Sequence, residues 1–219
     1  MLRALFEKTG MAIYISHLDL MRLFQRSFKR AGLPLTHTKG FNPRPSVSIA
    51  RPLSLGVESS CELLDFELET DGFTCEEIRE LLNQNLTDGV RILDVYDNGS
   101  KVKHLAYLSC ELTLEYDAGI PANARSRIQD LFTQQELTVE KKGKNGITLQ
   151  NIIPLIQEIR IEELNSQELR IFAHICCQNP TLNPSQLTAA ITKYLPDCEP
   201  DFVRISRREI YTTENRVFR

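Results

Sequence analysis

Four basic side chains between residues 22 and 30 have the type and spacing of a phosphate-binding surface. Positions three or four apart lie on one side of a helix. Cations gathered on such a face can contact the phosphates of a nucleic acid. The residues are Arg22, Arg26, Lys29 and Arg30. The alternative interpretation is an ordinary solvated helix face.

The loop that follows, KGFNPRP at residues 39–45, places an aromatic ring among cations and prolines. The prolines restrict the backbone. An aromatic ring beside cations can stack on an unpaired base while the cations contact phosphate. The residues assigned to nucleic-acid contact here are Lys39, Phe41, Asn42, Arg44 and, further along, Arg51. In the alternative, Phe41 packs into the core and the prolines only shape a turn.

Charge is distributed unevenly along the chain. Residues 1–56 contain nine Lys or Arg and two acidic residues, a net charge of +7. The remaining residues contain 17 basic and 27 acidic side chains, a net charge of −10. This asymmetry is typical of proteins with polyanionic partners.

His17 and Asp19 are the candidate catalytic residues if the protein is an enzyme. A histidine can act as acid or base near neutral pH, but at the start of a helix it can equally cap and pack. No second candidate catalytic residue lies at a spacing from His17 that indicates a catalytic pair. The four histidines are scattered and the six cysteines form no C-x-x-C pair, so no metal site and no cofactor are expected.

The basic residues require a helix that also has an apolar face. Ser16 is a suitable N-cap with Asp19 in the first turn, and Gly32 followed by Pro34 is a suitable end. The predicted apolar stripe, which should pack on a sheet, is Leu20, Met21, Phe24, Phe28 and Ala31.

The order of predicted elements repeats along the chain. Strands are predicted at residues 1–15, 46–55, 61–69, 90–96, 105–116, 137–141, 152–161, 169–177 and 202–211, and helices at 17–31, 75–86, 121–134 and 186–195. We infer an α+β fold of two tandem ferredoxin-like (βαββαβ) domains with antiparallel sheets. The domains are residues 1–98 and 103–219, separated by a turn-rich linker, and the second has an extra strand. An aromatic pattern like that of an RRM sheet is not evident.

Composition places the chain among soluble globular proteins, with 42% hydrophobic and 25% charged residues. No apolar run approaches the roughly 18–20 residues that cross a bilayer. The first residues contain no long apolar segment of a secretory signal. We expect a cytoplasmic protein without membrane contact.

Several motifs in the first third of the chain resemble a bacterial family of unknown function (DUF2344-type). They are YISHLDLMR at 14–22, RAGLP at 30–34, GFNPRP at 40–45 and PLSLGVES at 52–59. The family's shared residues correspond to Ser16, His17, Asp19, Arg22, Arg26, Arg30, Gly40, Phe41, Asn42, Pro43 and Gly56. Where the family often has His in the loop, this chain has Arg44, which keeps a cation but does not support acid–base chemistry.

The resemblance implies a protein partner. Members of that family are encoded beside, or fused to, radical SAM proteins with a cobalamin-type domain. The chain is not itself the radical enzyme, because it lacks the C-x-x-x-C-x-x-C run that binds the iron–sulfur cluster. A fainter similarity of layout connects it to the repeat-associated RNA endonucleases of CRISPR systems, whose glycine-rich C-terminal loop is missing here.

Three functions are consistent with these patterns. The first is a non-catalytic RNA-binding accessory module that delivers tRNA or rRNA to a radical SAM modification enzyme. The second is a protein adaptor whose basic face meets an acidic patch on the radical SAM partner. The third is a metal-independent RNA endonuclease that uses His17.

Overall fold

The computed structural model describes residues 1–143 and 146–219, and the chain divides into two compact units. Unit 1 is Met1–Lys103 together with Arg219, and unit 2 is His104–Phe218. The structure is mixed α+β, and the described residues contain four α-helices. No helix in this described part of the chain is both long and apolar enough to cross a membrane.

Unit 1 has two helices and a four-stranded antiparallel sheet with the order β4-β1-β3-β2. A 3-10 turn, Gly10–Tyr14, follows the first strand, and another, Val102–His104, follows the last. The elements in chain order are β1 (Leu2–Lys8), α1 (His17–Arg30), β2 (Val47–Ala50), β3 (Val57–Phe66), α2 (Cys75–Asn83) and β4 (Val90–Asp97).

Both helices of unit 1 contribute to the same core as the sheet. The ring of Phe24 on α1 meets Phe6 of β1 edge-on, with 5.0 Å between ring centroids. One turn later Phe28 lies 4.9 Å from Phe66 of β3. Aromatic pairs in this geometry add to the free energy of burial. They fix the rotation of α1, and its opposite face therefore points to solvent.

Unit 2 has an antiparallel sheet with the order β10-β5-β9-β8 and a separate β6-β7 hairpin. Short 3-10 turns lie at Ile153–Leu155 and Pro196–Cys198. The elements are β5 (Leu105–Glu115), α3 (Ala124–Leu131), β6 (Thr138–Gly143), β7 (Gly146–Asn151), β8 (Ile156–Asn165), β9 (Glu168–Cys176), α4 (Ser185–Tyr194) and β10 (Phe202–Thr212).

The structure confirms the mixed α+β class and the antiparallel pairing, and it corrects several boundaries. The predicted strand 1–15 ends at Lys8, because Gly10 has φ of +54° and the chain turns there. Helix α3 begins at Ala124 rather than 121, since Asn123 is left-handed at φ of +58°. Strand β8 begins at Ile156 because Pro154 lies in a 3-10 turn.

The Lys, Gly and Asn residues at 141–146 predict a loop between two strands of unit 2, but the described residues of this segment are strand. Residues 141–143 end β6 and Gly146 begins β7, an element that was not predicted. Residues 144 and 145 of that loop lie outside the described residues. Composition explains the difference, because Lys and Gly, the residue types at positions 142, 143 and 146, are depleted in strands on average.

Candidate nucleic-acid interface

Helix α1 begins at the predicted residue, His17, and ends at Arg30, one residue before the predicted end. Ser16 Oγ accepts a hydrogen bond from the Asp19 amide at 3.2 Å. After the C-cap, Gly32 adopts φ of +71°, the left-handed conformation that ends many helices. Lys29 and Arg30 occupy the last turn, where the helix dipole favours cations. Leu20, Phe24 and Phe28 are buried, so the predicted apolar face is the one that packs.

The four cations of α1 are exposed but differ in their contacts. Arg22 pairs with Asp19 at 2.9 Å, and both side chains are in solvent. Arg30 donates to the Asn85 carbonyl oxygen at 2.6 Å, which leaves its charge without a carboxylate partner. The side chains of Arg26 and Lys29 have no hydrogen-bond or ion-pair partner among the described residues. Three of the four charges are therefore not neutralised by a carboxylate of the described residues, and the side chains of Arg26 and Lys29 are fully available to an external anion.

The loop after α1 folds back as a hairpin, which we call the 36–46 hairpin. Its two arms are joined by the Ser46 amide donating to the Thr36 carbonyl at 2.7 Å and the Thr38 amide donating to the Arg44 carbonyl at 2.8 Å. Thr38 also accepts from the Arg44 amide through Oγ1 at 3.1 Å. The sequence predicts a stiff loop but not this ladder.

Phe41 stands at the tip of the 36–46 hairpin with its side chain completely exposed, at 105% of the reference area. Phe41 therefore does not pack in the core, the alternative that the sequence left open. Lys39, Asn42 and Arg44 around it are exposed too. In the described chain the side chains of Lys39 and Arg44 have no carboxylate partner. An isolated, solvated phenyl ring costs hydrophobic free energy, which a stacking partner would recover.

Arg51 differs from the other predicted contact residues. It is half-buried, has φ of +56°, and already has an interaction partner within the chain. Positive φ is uncommon for a residue with a side chain. We therefore leave Arg51 out of the exposed cationic set.

Two of the nine Lys and Arg side chains in residues 1–56 are buried. Arg3 is buried and forms a bidentate pair with Asp65, at 2.6 Å for Nε–Oδ1 and 3.0 Å for Nη2–Oδ2. Lys8 is buried and donates to the carbonyl oxygens of Ile13 and Ile15, and burial lowers its pKa. The accessible positive charge is therefore smaller than the sequence count of +7 indicates.

A groove connects α1 to the base of the 36–46 hairpin. It has a volume of about 370 Å³ and an apolar floor that includes Phe28 and Leu35. Lys29, His37 and Glu69 line it, with 3.8 Å between His37 Nδ1 and Glu69 Oε1. The Leu35–Leu68 bridge brings His37 and Glu69 close to each other, and Lys29 of α1 lines the same groove. Sequence reasoning missed His37 and Glu69, because no spacing pattern links them.

His17 and Asp19 are both exposed at the start of α1 but do not bond to each other in the described chain. The Asp19 carboxylate accepts from Ser16 Oγ at 2.7 Å and from Arg22. These two hydrogen bonds hold the pKa of Asp19 below its usual value, with Ser16 the larger cause. The Asp19 carboxylate thus holds the hydroxyl of the N-cap Ser16 and pairs with Arg22. Across residues 1–143 and 146–219, no group of three or more His, Cys, Asp and Glu could hold a metal ion.

The sequence of residues 1–184 matches a family described as an uncharacterized protein conserved in bacteria (DUF2344). The chain belongs to this family. The matched part of the DUF2344 protein includes α1, the 36–46 hairpin and most of unit 2. A comparison with curated proteins gives no match.

Solved structures share the fold of this DUF2344 protein. A chain in a structure titled "Crystal Structure of a Cbf5-Nop10-Gar1 Complex" aligns with a TM-score of 0.50 and 10% sequence identity. The alignment covers 96% of the DUF2344 chain but only 47% of the other, so the DUF2344 protein spans about half of that chain's length. At this identity the likeness concerns the fold alone.

Proposed function

We propose that this protein is a non-catalytic RNA-binding accessory module. The observation that carries the proposal is the solvated Phe41 ring at the tip of the 36–46 hairpin. The cations Lys39 and Arg44 flank it and have no carboxylate partner among the described residues. An exposed ring with flanking cations is the arrangement that binds an unstacked base and its phosphates. Single-stranded loops of structured RNA offer such bases, and duplex DNA does not.

Helix α1 supports the same proposal from the other side of the groove. Lys29 lines the groove together with His37, at the base of the hairpin, and Arg26 lies one turn before Lys29. An RNA strand with one base stacked on Phe41 can place its neighbouring phosphates near Lys29 and Arg26. The cations on the two elements then act as one surface, which we call the basic surface: Arg26, Lys29, Lys39 and Arg44.

The proposal includes a radical SAM enzyme of the cobalamin type as the partner, and tRNA or rRNA as the RNA. The support is the resemblance of the 14–22, 30–34, 40–45 and 52–59 motifs to proteins linked with such enzymes. In this role the module presents RNA and the partner performs the modification. The module needs no cofactor of its own.

The proposal also includes a tandem ferredoxin-like architecture. In unit 1 the element order is βαββαβ and the sheet order is β4-β1-β3-β2. Unit 2 has the equivalent sheet order β10-β5-β9-β8 once the inserted β6-β7 hairpin is set aside. Both agree with the split βαβ arrangement.

The direct test is RNA binding by a charge-neutralised variant. Fluorescence anisotropy with labelled bacterial tRNA at low salt should give a measurable Kd for the wild type. Replacing two cations of the basic surface, Arg26→Gln with Lys29→Gln, should weaken binding by about tenfold or more, because each lost phosphate contact removes counterion release. The matched control is Arg91→Gln, an exposed arginine on β4 without a partner among the described residues. Equal loss in both variants, or no binding by the wild type to tRNA and rRNA fragments, would rule the proposal out.

A protein adaptor is the second candidate, and exposed apolar residues at the start of α1 favour it. Met11 and Tyr14 in the 3-10 turn and Leu18 in the first turn of α1 are largely in solvent. Clustered exposed apolar side chains mark protein contacts. A radical SAM partner retained by the wild type after nuclease and high-salt washes, but lost with Leu18→Ser, would support the adaptor role.

A further inference from the structure

The second unit contains a pocket that the sequence did not indicate. It has a volume of about 330 Å³, within the usual ~300–1,000 Å³ of small-ligand sites, and lies over strands β5, β8, β9 and β10. Its aromatic lining residues are Phe172, His174 and Tyr211. Along β9, Leu169, Ile171, Ala173 and Ile175 are buried, so the alternate residues occupy the opposite face of the sheet.

The rings are held in fixed positions. The ring of His174 contacts two tyrosine rings, with centroid distances of 4.9 Å to Tyr211 and 5.4 Å to Tyr107. The guanidinium groups of Arg160 and Arg170 are each 5.6 Å from the centroid of Phe172. Strand register produces this arrangement, since His174 lies opposite Ser109 of β5 and Glu158 of β8. A preorganised ring surface loses little conformational freedom on binding.

The charges at this pocket are already neutralised. Arg160 pairs with Glu158 at 3.1 Å, and Arg208 pairs with Glu111 at 3.0 Å. In contrast, the buried Nε2 atom of His174 has no hydrogen-bond partner in the described chain. Burial raises the pKa of Cys110 to about 12, so this lining residue is a neutral thiol rather than a nucleophile. The pocket therefore suits an uncharged planar ligand with a hydrogen-bonding edge.

We propose that this pocket binds a purine or pyrimidine base, stacked on the rings of Phe172, His174 and Tyr211, with His174 Nε2 bonding to the edge of the base. Two sources offer this chemistry: a free nucleoside, and an unpaired residue of RNA. The RNA source rests on the function proposed above, and the nucleoside source does not. No covalent step is involved.

The test follows the imidazole signal of His174 by NMR in the full-length protein, assigned with His174→Ala. The probes are adenosine and a single-stranded six-nucleotide RNA. Either probe should shift the His174 signal saturably, and Phe172→Ala should weaken that binding about 5- to 100-fold, the usual effect of losing one stacking ring. The control is Phe202→Ala, an exposed aromatic residue of β10 outside the pocket lining, which should leave the affinity unchanged.

The outcomes separate this inference from the RNA-binding proposal. A shift with adenosine in a protein that fails to bind tRNA supports the pocket and removes the proposed function. A shift with the oligonucleotide only, retained in Arg26→Gln/Lys29→Gln at higher RNA concentration, supports the pocket as an RNA-base site. If neither probe at millimolar concentration moves the His174 signal of the wild type, the pocket proposal is overturned, whatever the tRNA result.

Discussion

The exposed ring of Phe41 is the main evidence for a binding site on the 36–46 hairpin. Its ring is fully solvated, although burying a phenylalanine side chain is worth roughly 1.5–3 kcal/mol. The surrounding backbone is held in place, because hydrogen bonds between Thr38 and Arg44 join the two arms of the hairpin. A rigid support for an exposed ring is consistent with recognition, since the ring is presented in one position.

Replacing the ring separates recognition from folding. Phe41→Ala should weaken RNA binding by about 5- to 100-fold, the range that one lost stacking contact gives, and should leave the melting temperature unchanged because no core contact is lost. Phe41→Tyr keeps the stacking surface and should bind like the wild type. The measurements are anisotropy titration and thermal unfolding by circular dichroism. Wild-type affinity in Phe41→Ala would remove the ring from the interface.

The buried pair of Arg3 and Asp65 has a structural role. Both side chains are almost inaccessible, and Arg3 also donates to the Ser100 carbonyl oxygen at 2.9 Å. Asp65→Ala leaves a buried guanidinium without its carboxylate and should cost about 3–5 kcal/mol of unfolding free energy. Urea denaturation measures this cost. Glu76→Gln, which breaks the exposed pair with Arg79, should cost about 1 kcal/mol or less. Similar costs for the two variants would contradict the structural assignment.

His174 should make stability depend on pH. Burial lowers its pKa below the usual 6.5, and the nearby Glu158 of β8 only partly opposes this; its other ring neighbours are Tyr107 and Tyr211. Unfolding therefore takes up a proton between the lowered pKa and 6.5, so this contribution to stability falls as pH drops through that window. His174→Gln should have a flatter profile of unfolding free energy below pH 6.5. Parallel profiles for the two proteins would contradict the assignment.

At the scale of elements, Gly89 connects the end of β1 to the start of β4 through a backbone hydrogen bond. The Thr9 amide donates to the Gly89 carbonyl at 2.8 Å. Gly89 has φ of +81°, and an added Cβ would lie 2.3 Å from the Thr9 carbonyl oxygen. Gly89→Ala should therefore destabilise the protein by at least about 1–3 kcal/mol, the cost of strained backbone. Gly72→Ala, where nothing lies within 4 Å of the added Cβ, should change stability by less than about 0.5 kcal/mol. Denaturant midpoints give the comparison.

The elements that local rules govern could be predicted from the sequence. The cap at Ser16 and the end of α1 at Gly32 depend on neighbours within four residues. The 36–46 ladder, the groove with His37 and Glu69, and the ring cluster around His174 could not be predicted. Each depends on strand register or on a bridge between residues far apart in sequence, and periodicity along one segment contains no information about register.

For the whole molecule, the charge count is a poorer guide than the contacts. Arg3 and Lys8 are buried, and Arg22 is paired within the chain. Within residues 1–56, the cations whose side chains have no partner among the described residues are those of the basic surface: Arg26, Lys29, Lys39 and Arg44. The family resemblance alone could not identify these four cations or show that the ring of Phe41 is exposed.

The salt dependence of tRNA binding tests the proposed role of the basic surface most directly. If the four cations of the basic surface each meet a phosphate, log K against log salt concentration should have a slope of roughly −3 to −4 for the wild type. A variant with all four changed to Gln should lose most of that slope, while Arg91→Gln keeps it. A wild-type slope near zero, or an unchanged slope in the fourfold variant, would contradict the claim that this surface binds the RNA backbone.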